Sequence, residues 1–184
     1  MRFHRISVGS ARIELVKGDI TLEGTDAIVT AANRRLAGGG GVDGAIHDAA
    51  GPGVMAEIRQ RYPGGCPTGD AVVTGAGKLK SRVLLHAVGP VYEPDRADWA
   101  AEMLRSAYTR CLQLAVENGC RSIAFPAIST GVYGYPIDPA ARIALRAARD
   151  FLAPGSDLEL VRWVLFNDAA FDAFLAAAKE VLES

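Results

Sequence analysis

Hydrophobic and polar positions alternate along this chain with two periods, one of two residues and one close to the helical repeat, and the two kinds of segment follow each other to its end. Arg12-Ile13-Glu14-Leu15-Val16 has the strand period and is ended by Lys17-Gly18-Asp19. Residues 20–23 form a short connection to an apolar strand at 26–30. Residues 42–50 read as a helix stopped by Gly51-Pro52-Gly53, and 54–61 as a second one broken by Pro63-Gly64-Gly65. Two strands follow in succession, 70–74 and 82–88, with Gly75 and Gly77 turning between them. Asp98 fits the N-cap of a helix carrying Leu104, Tyr108, Cys111, Leu112 and Ala115 on one face and closed by Asn118-Gly119. A buried strand at 121–127 leads through a loop at 128–136 into a helix capped near Asp138-Pro139, with Ala141, Leu145, Ala148 and Leu152 inward. Pro154-Gly155-Ser156 breaks it; a last strand at 158–166 precedes a helix that buries Phe171, Phe174, Leu175, Ala178 and Leu182.

Strands alternating with helices predict a three-layer α/β/α domain. The successive strands at 70–88 predict a central sheet that is mixed but mostly parallel. Such sheets bind ligands beyond the carboxyl ends of their strands, where both glycine-bearing loops, after residue 30 and after residue 127, fall. The 184 residues suit one domain, 1–184. A formal charge of −1 gives no bulk reason to expect nucleic acid or an anionic membrane as partner. No apolar run approaches the ~20 residues of a membrane span. Met1-Arg-Phe-His-Arg-Ile-Ser lacks the apolar core of a signal peptide. Cys66, Cys111 and Cys120 lack metal-ligand spacing and fit a reducing cytoplasm, so no zinc site is expected. No cofactor is expected either.

Candidate chemistry concentrates in Thr30-Ala-Ala-Asn33-Arg-Arg-Leu-Ala-Gly38-Gly-Gly-Gly41-Val42-Asp43-Gly44-Ala-Ile-His47. Consecutive glycines between a strand and a helix bring bare backbone close to a ligand, and the helix start adds N–H donors suited to phosphate. Asp43 does not fit plain anion binding there, which points to chemistry. Each residue also has an ordinary reading: Asn33 as a loop staple, Asp43 as a first-turn acid, His47 as a core histidine. Gly39-x-Gly41-x-x-Gly44 matches a dinucleotide fingerprint only formally, because Ala31–Gly38 separate it from the strand and no acid closes a strand ~20 residues on. The second loop, Ser129-Thr130-Gly131-Val132-Tyr133-Gly134-Tyr135-Pro136, reads as a second phosphate clamp or as a strand-to-helix turn. Phe166, at a strand end, reads as core on composition alone.

Lys17-Gly-Asp-Ile-Thr21, Asp26-Ala-Ile-Val-Thr-Ala-Ala-Asn33, Gly38-Gly-Gly-Gly-Val-Asp-Gly-Ala-Ile-His47, Cys66-Pro-Thr-Gly69, His86-Ala-Val-Gly-Pro90 and the second loop together resemble a macro domain, over nearly the whole chain and in order. The glycine run resembles the MacroD-type class, ADP-ribose binders that hydrolyse O-acetyl-ADP-ribose and remove mono-ADP-ribose from acidic side chains of proteins. The resemblance implies Asp19 as acceptor for the adenine amino group, with Ile20 against the ring and Phe166 at the adenine. It implies Asn33 at the distal ribose, Asp43 as the acid that activates or positions the attacking water, and His47 in the same signature. Gly41 and Val42 would line the first loop, and Ser129, Thr130, Gly131, Val132 and Tyr133 the diphosphate clamp. The family usually has Asn-Ala-Ala-Asn; here the first position is Thr30, expected to bear only on support of the loop. No lysine lies in the first loop, against a covalent lysine mechanism.

The expectation is therefore a monomeric, cytoplasmic, metal-free ADP-ribosyl-ester hydrolase whose partners are ADP-ribose, O-acetyl-ADP-ribose and mono-ADP-ribosylated proteins. The alternative is a non-catalytic ADP-ribose reader.

Overall fold

A computed structural model describes residues 2–184 and places their strands in one seven-stranded sheet. The strands are β1 (Phe3–Val8), β2 (Ala11–Lys17), β3 (Ala27–Ala31), β4 (Ala71–Gly75), β5 (Val83–Ala87), β6 (Ser122–Phe125) and β7 (Leu160–Leu165). The helices are α1 (Gly41–Ala50), α2 (Gly53–Arg61), α3 (Ala97–Glu117), α4 (Ile137–Leu152) and α5 (Asp168–Val181). In the order β1-β2-β7-β6-β3-β5-β4, only the outermost pairings, β1 with β2 and β4 with β5, are antiparallel. The mixed, mostly parallel sheet is as the strand succession predicts.

Strand alternation sorts side chains into the layers. On β3, Ala27 and Val29 join the core formed with α3, α4 and α5, which holds Leu104, Tyr108, Leu145, Trp163 and Phe174. Ile28 faces the other way, into a smaller core with Ile46 of α1 and Val54 and Ile58 of α2. Thr30 is buried too, and its hydroxyl reaches Asp43 of α1, so it shares the Ile28 side. That face carries the polar chemistry.

Strand β1 has no counterpart in the sequence reading. Only Ile6 of its side chains is buried, and it pairs with β2 alone, so an edge strand leaves little apolar signature. Helix caps also differ from expectation. Asp98 and Asp138 stand in the first turns of α3 and α4, whose N-caps are Arg96 and Pro136. An acid complements the helix dipole at either place, which is why sequence alone misplaces it by a residue or two. Leu175 and Leu182 are only partly buried, while the other inward residues expected of α3, α4 and α5 are in the core. Cys66, Cys111 and Cys120 are buried free thiols. No helix among the described residues is long and apolar enough to cross a membrane.

Because β2, β7, β6, β3 and β5 run parallel, their carboxyl ends share one edge. Asp19 and Ile20 follow β2, Phe166 follows β7, residues 127–136 follow β6, and residues 32–40 follow β3. Topology thus gathers Asp19, Ile20, Asn33, Phe166 and the second loop along that edge, and Gly41, Val42, Asp43 and His47 follow in α1, directly after the β3 loop.

Candidate functional site

The first loop is fastened by its own asparagine. Asn33 Nδ2 donates to the Gly38 carbonyl at 2.9 Å, and Asn33 Oδ1 accepts from the Ala37 N–H at 3.2 Å. The loop-staple reading thus holds, yet an amide has four hydrogen-bonding positions, and the second Nδ2 proton and a lone pair remain for a ligand. Leu36 takes φ +55° inside this loop and is buried. Gly41 takes φ +57°, and a β-carbon on Gly44 would run into the Gly39 carbonyl, so neither position suits a side chain. The N–H groups from Gly38 to Asp43 have no acceptor among the described residues, and Gly40 caps α1 without a side-chain bond.

Asp43 is only 6% exposed and is held asymmetrically. Thr30 Oγ1 donates to its Oδ1 at 2.7 Å, and His47 Nε2 lies 3.5 Å from the same oxygen, one helical turn on. Oδ2 has no partner among the described residues, is not sealed from solvent, and lies near Gly39. Thr30, expected only to support the loop, instead anchors the acid. The Asp43 carboxylate raises the His47 pKa above its ordinary value, against the opposing effect of burial.

A second histidine lies behind the pair. His86 of β5 is in register with Thr30, and its ring centroid is 5.9 Å from that of His47. Thr74 Oγ1 donates to the Gly75 carbonyl at 2.8 Å, so the 2.8 Å contact with His86 Nε2 makes the histidine the donor there. Nδ1 is then a buried acceptor without partner. Burial, reinforced by the nearby His47, pushes the His86 pKa down to about 4. The sequence reading included His86 only as part of a motif; its proximity to Asp43 depends on the β3–β5 pairing.

The second loop is built differently. Ser129 takes φ +68°, and its buried hydroxyl has no partner. Thr130 Oγ1 is turned back onto the Ala127 carbonyl at 2.8 Å. Tyr135 N–H donates to Ser129 O at 2.9 Å, Gly134 N–H to Gly131 O at 3.0 Å, and Tyr92 N–H to Tyr133 O at 2.9 Å. These bonds shape the turn and leave the N–H groups of Gly131, Val132 and Tyr133 without acceptors among the described residues. Tyr108, read from sequence as core, also holds the loop entry: its hydroxyl accepts from Ile128 N–H at 3.0 Å. Gly89 passes so close to Ser129 that a β-carbon there would collide with its hydroxyl. Val132 is fully exposed.

At the β2–β7 end, Asp19 Oδ1 accepts from the N–H and hydroxyl of Thr21 at 2.9 and 2.7 Å, with Oδ2 unpaired among the described residues. Ile20 is buried in the α1–α2 core. Phe166 is 82% exposed, so its reading as core is wrong and its ring is open to a ligand. At the opposite end a cavity of about 900 Å³ is lined by Asn33, Arg34, Arg35, Cys66 and Tyr133 together with residues 63–65, Ala37 and Pro67. Burial, then Asp70, pushes the Cys66 thiol up to about 11, so it stays protonated near neutral pH. Among the described residues no three His, Cys, Asp or Glu side chains are grouped to hold a metal ion.

A family model described as Macro domain matches residues 29–144. An O-acetyl-ADP-ribose deacetylase of Salmonella newport is 49% identical over 161 residues, covering 86% of this chain and 89% of that protein. A mutant macrodomain of Oceanobacillus iheyensis, solved with ADPR, superimposes with a TM-score of 0.93 at 39% identity and covers both chains fully. The Trypanosoma brucei macrodomain in complex with ADP-ribose superimposes at 0.83 with 43% identity, covering 90% of this chain and 68% of that one.

Proposed function

The chain belongs to the macro-domain family, and from that premise we propose that it binds ADP-ribose, hydrolyses O-acetyl-ADP-ribose, and removes mono-ADP-ribose from acidic side chains of proteins. The ligand would run along the carboxyl edge of the sheet. Its adenine would lie by Phe166 and Asp19 Oδ2, over the turn at Ile20. Its diphosphate would sit between the open N–H groups of Gly41 and Val42 and those of Gly131, Val132 and Tyr133, with Ser129 and Thr130 shaping the clamp. Its distal ribose would meet the remaining capacity of the Asn33 amide. Backbone donors at a helix start bind phosphate without ordering long side chains.

The observation that carries the hydrolytic reading is the asymmetry of Asp43. One oxygen is fixed by Thr30 and flanked by His47, and the other is open beside the glycine run. A carboxylate held this way orients a water and takes its proton as the water adds to the ester. The ester C–O bond then breaks, and the departing sugar oxygen takes the proton back from Asp43, giving a free sugar hydroxyl and a carboxylic acid. Proton transfer of this kind contributes about 10²–10⁴-fold. Asn33 fixes the sugar, and His47, on the anchored oxygen, positions the acid.

Asp43→Ala is expected to lower turnover of O-acetyl-ADP-ribose and of a glutamate-linked mono-ADP-ribosylated protein by about 10²-fold or more, with ADP-ribose affinity changed only a few-fold. Product release and calorimetric binding measure the two. Equal losses of both would remove Asp43 from the base role. A wild-type protein that binds ADP-ribose and releases neither product would be a reader.

A further inference from the structure

Resting on the protein-demodification reading above, we propose that the cavity beside Asn33 receives the polypeptide flanking the modified side chain, and that Arg34 and Arg35 select acidic flanks.

The position follows from the sheet order. Asp19 and Phe166 stand beyond β2 and β7, whereas the cavity is walled by the β3 loop and by residues 63–67, which lead to β4 at the far edge. It reaches Asn33 and Tyr133 but not Asp19, Phe166 or Asp43. It therefore shares Asn33 with the expected seat of the distal sugar and extends from there past Arg34 and Arg35 to residues 63–67. Hydrolysis of an acetyl ester needs no wall beyond the sugar, and the cavity of about 900 Å³ continues past Asn33 along Arg34, Arg35 and residues 63–67.

The wall is firm where its backbone is concerned and open where its charge is. Cys66 N–H donates to the Arg34 carbonyl at 2.8 Å, and a β-carbon on Gly65, at φ +78°, would strike that carbonyl. The two lips are thus stitched together at Arg34, while the side chains of Arg34 and Arg35 are exposed. Most arginines of this protein lie within 4.0 Å of a carboxylate; among the described residues Arg34, Arg35, Arg59 and Arg146 do not. Two of these four are adjacent and line the same cavity, whose wall holds no acid. Unpaired guanidinium groups at a mouth free of carboxylates favour an anionic partner, and their planar forks match carboxylates in particular. An acidic segment is the partner that an esterified Asp or Glu brings with it. A nucleic acid would call for a basic stripe, and this surface offers two cations on a chain of net charge −1.

The test uses two peptides, each bearing one ADP-ribosylated glutamate, flanked in one by Asp/Glu and in the other by Lys/Arg. Affinities are measured in an Asp43→Ala background, so that the ester persists, and kcat/KM in the otherwise wild-type protein. The acidic peptide is expected to bind about tenfold more tightly, with a preference that shrinks at high salt. The double variant Arg34→Gln, Arg35→Gln should lose that preference, and R34E with R35E should invert it. Both should retain wild-type thermal stability and wild-type kcat/KM on O-acetyl-ADP-ribose. Equal binding of the two peptides would overturn the proposal, as would displacement of the acidic peptide by a single-stranded RNA oligonucleotide at equal concentration. Selective binding of the acidic peptide without cleavage would leave this surface standing and remove the demodification reading; cleavage of both peptides with equal affinity would do the reverse.

Discussion

The connections after β3 and after β6 each hold one non-glycine residue in the left-handed region, Leu36 at φ +55° and Ser129 at φ +68°, and among the described residues no other non-glycine position does. Such a conformation costs about 1–2 kcal/mol for an L-residue. The two loops meet that cost differently. Leu36 buries its side chain against the α1–α2 core, and burial of a leucine contributes about 1.5–3 kcal/mol. Asn33 then closes the same loop with two hydrogen bonds. Ser129 buries a hydroxyl that meets no partner, which adds to the cost. The first loop offsets its strain within the folded chain and places an acid; the second retains its strain, and both keep N–H donors open. Strain of this kind collects at ligand sites, where a bound group can offset it.

Acid titration separates the two regions most strongly. The first region stands on a titratable cluster, Asp43, His47 and His86, and the second loop has no counterpart. The folded His86 pKa, about 4, lies below the ordinary histidine value near 6.5, so the unfolded chain takes up its proton first as pH falls. Stability from neutral His86 is complete above pH ~6.5 and is lost on acidification toward pH 4, by up to about 3 kcal/mol. His47 has the opposite sign. Its raised pKa contributes stability below pH ~6.5 that fades as pH rises through the folded value. Urea midpoints across pH 4–8 should show the acid loss in wild type and its flattening in His86→Gln. Superimposable curves would mean that the buried ring does not govern the region.

Next in size is the anchor on Asp43. Thr30→Val removes a donor to a buried carboxylate, at a cost of about 2 kcal/mol in stability, and frees the acid to turn. Turnover should fall about tenfold with ADP-ribose affinity nearly unchanged, and Thr30→Ser should restore both. Because His47 shares Oδ1, the Thr30→Val defect should deepen above the His47 pKa, where the histidine is neutral. A pH-independent defect would place the effect in packing rather than in the anchor.

This also shows which features the sequence could reveal. The glycine run, Asn33, Asp43 and the second loop are local patterns, and the succession of strands and helices was enough to bring them to one edge. The Thr30–Asp43 bond depends on α1 folding back over the face of β3 that carries Ile28, and His86 on the β3–β5 register; neither is written in a short window. Phe166 misleads for the opposite reason: its neighbours in β7 are buried, and only the end of the strand turns it outward. Arg34 and Arg35 look like ordinary loop polarity until the cavity wall shows them without acids. Strand β1 carries too few buried residues for its period to be seen.

The smallest effect should be the most discriminating between the loops. Ser129→Gly removes both the left-handed strain and the orphaned hydroxyl, while giving back some backbone entropy to the unfolded chain. The net expectation is a gain of about 1 kcal/mol, roughly 2–4 °C in Tm. If the hydroxyl and the turn serve the diphosphate, the same variant should bind ADP-ribose several-fold more weakly, and its pH–stability curve should shift without changing shape, since His47 and His86 are untouched. A variant that is less stable would show that Ser129 has a partner in the folded chain. A variant that is more stable and binds as wild type would show that the strain in the second loop is not kept for the ligand.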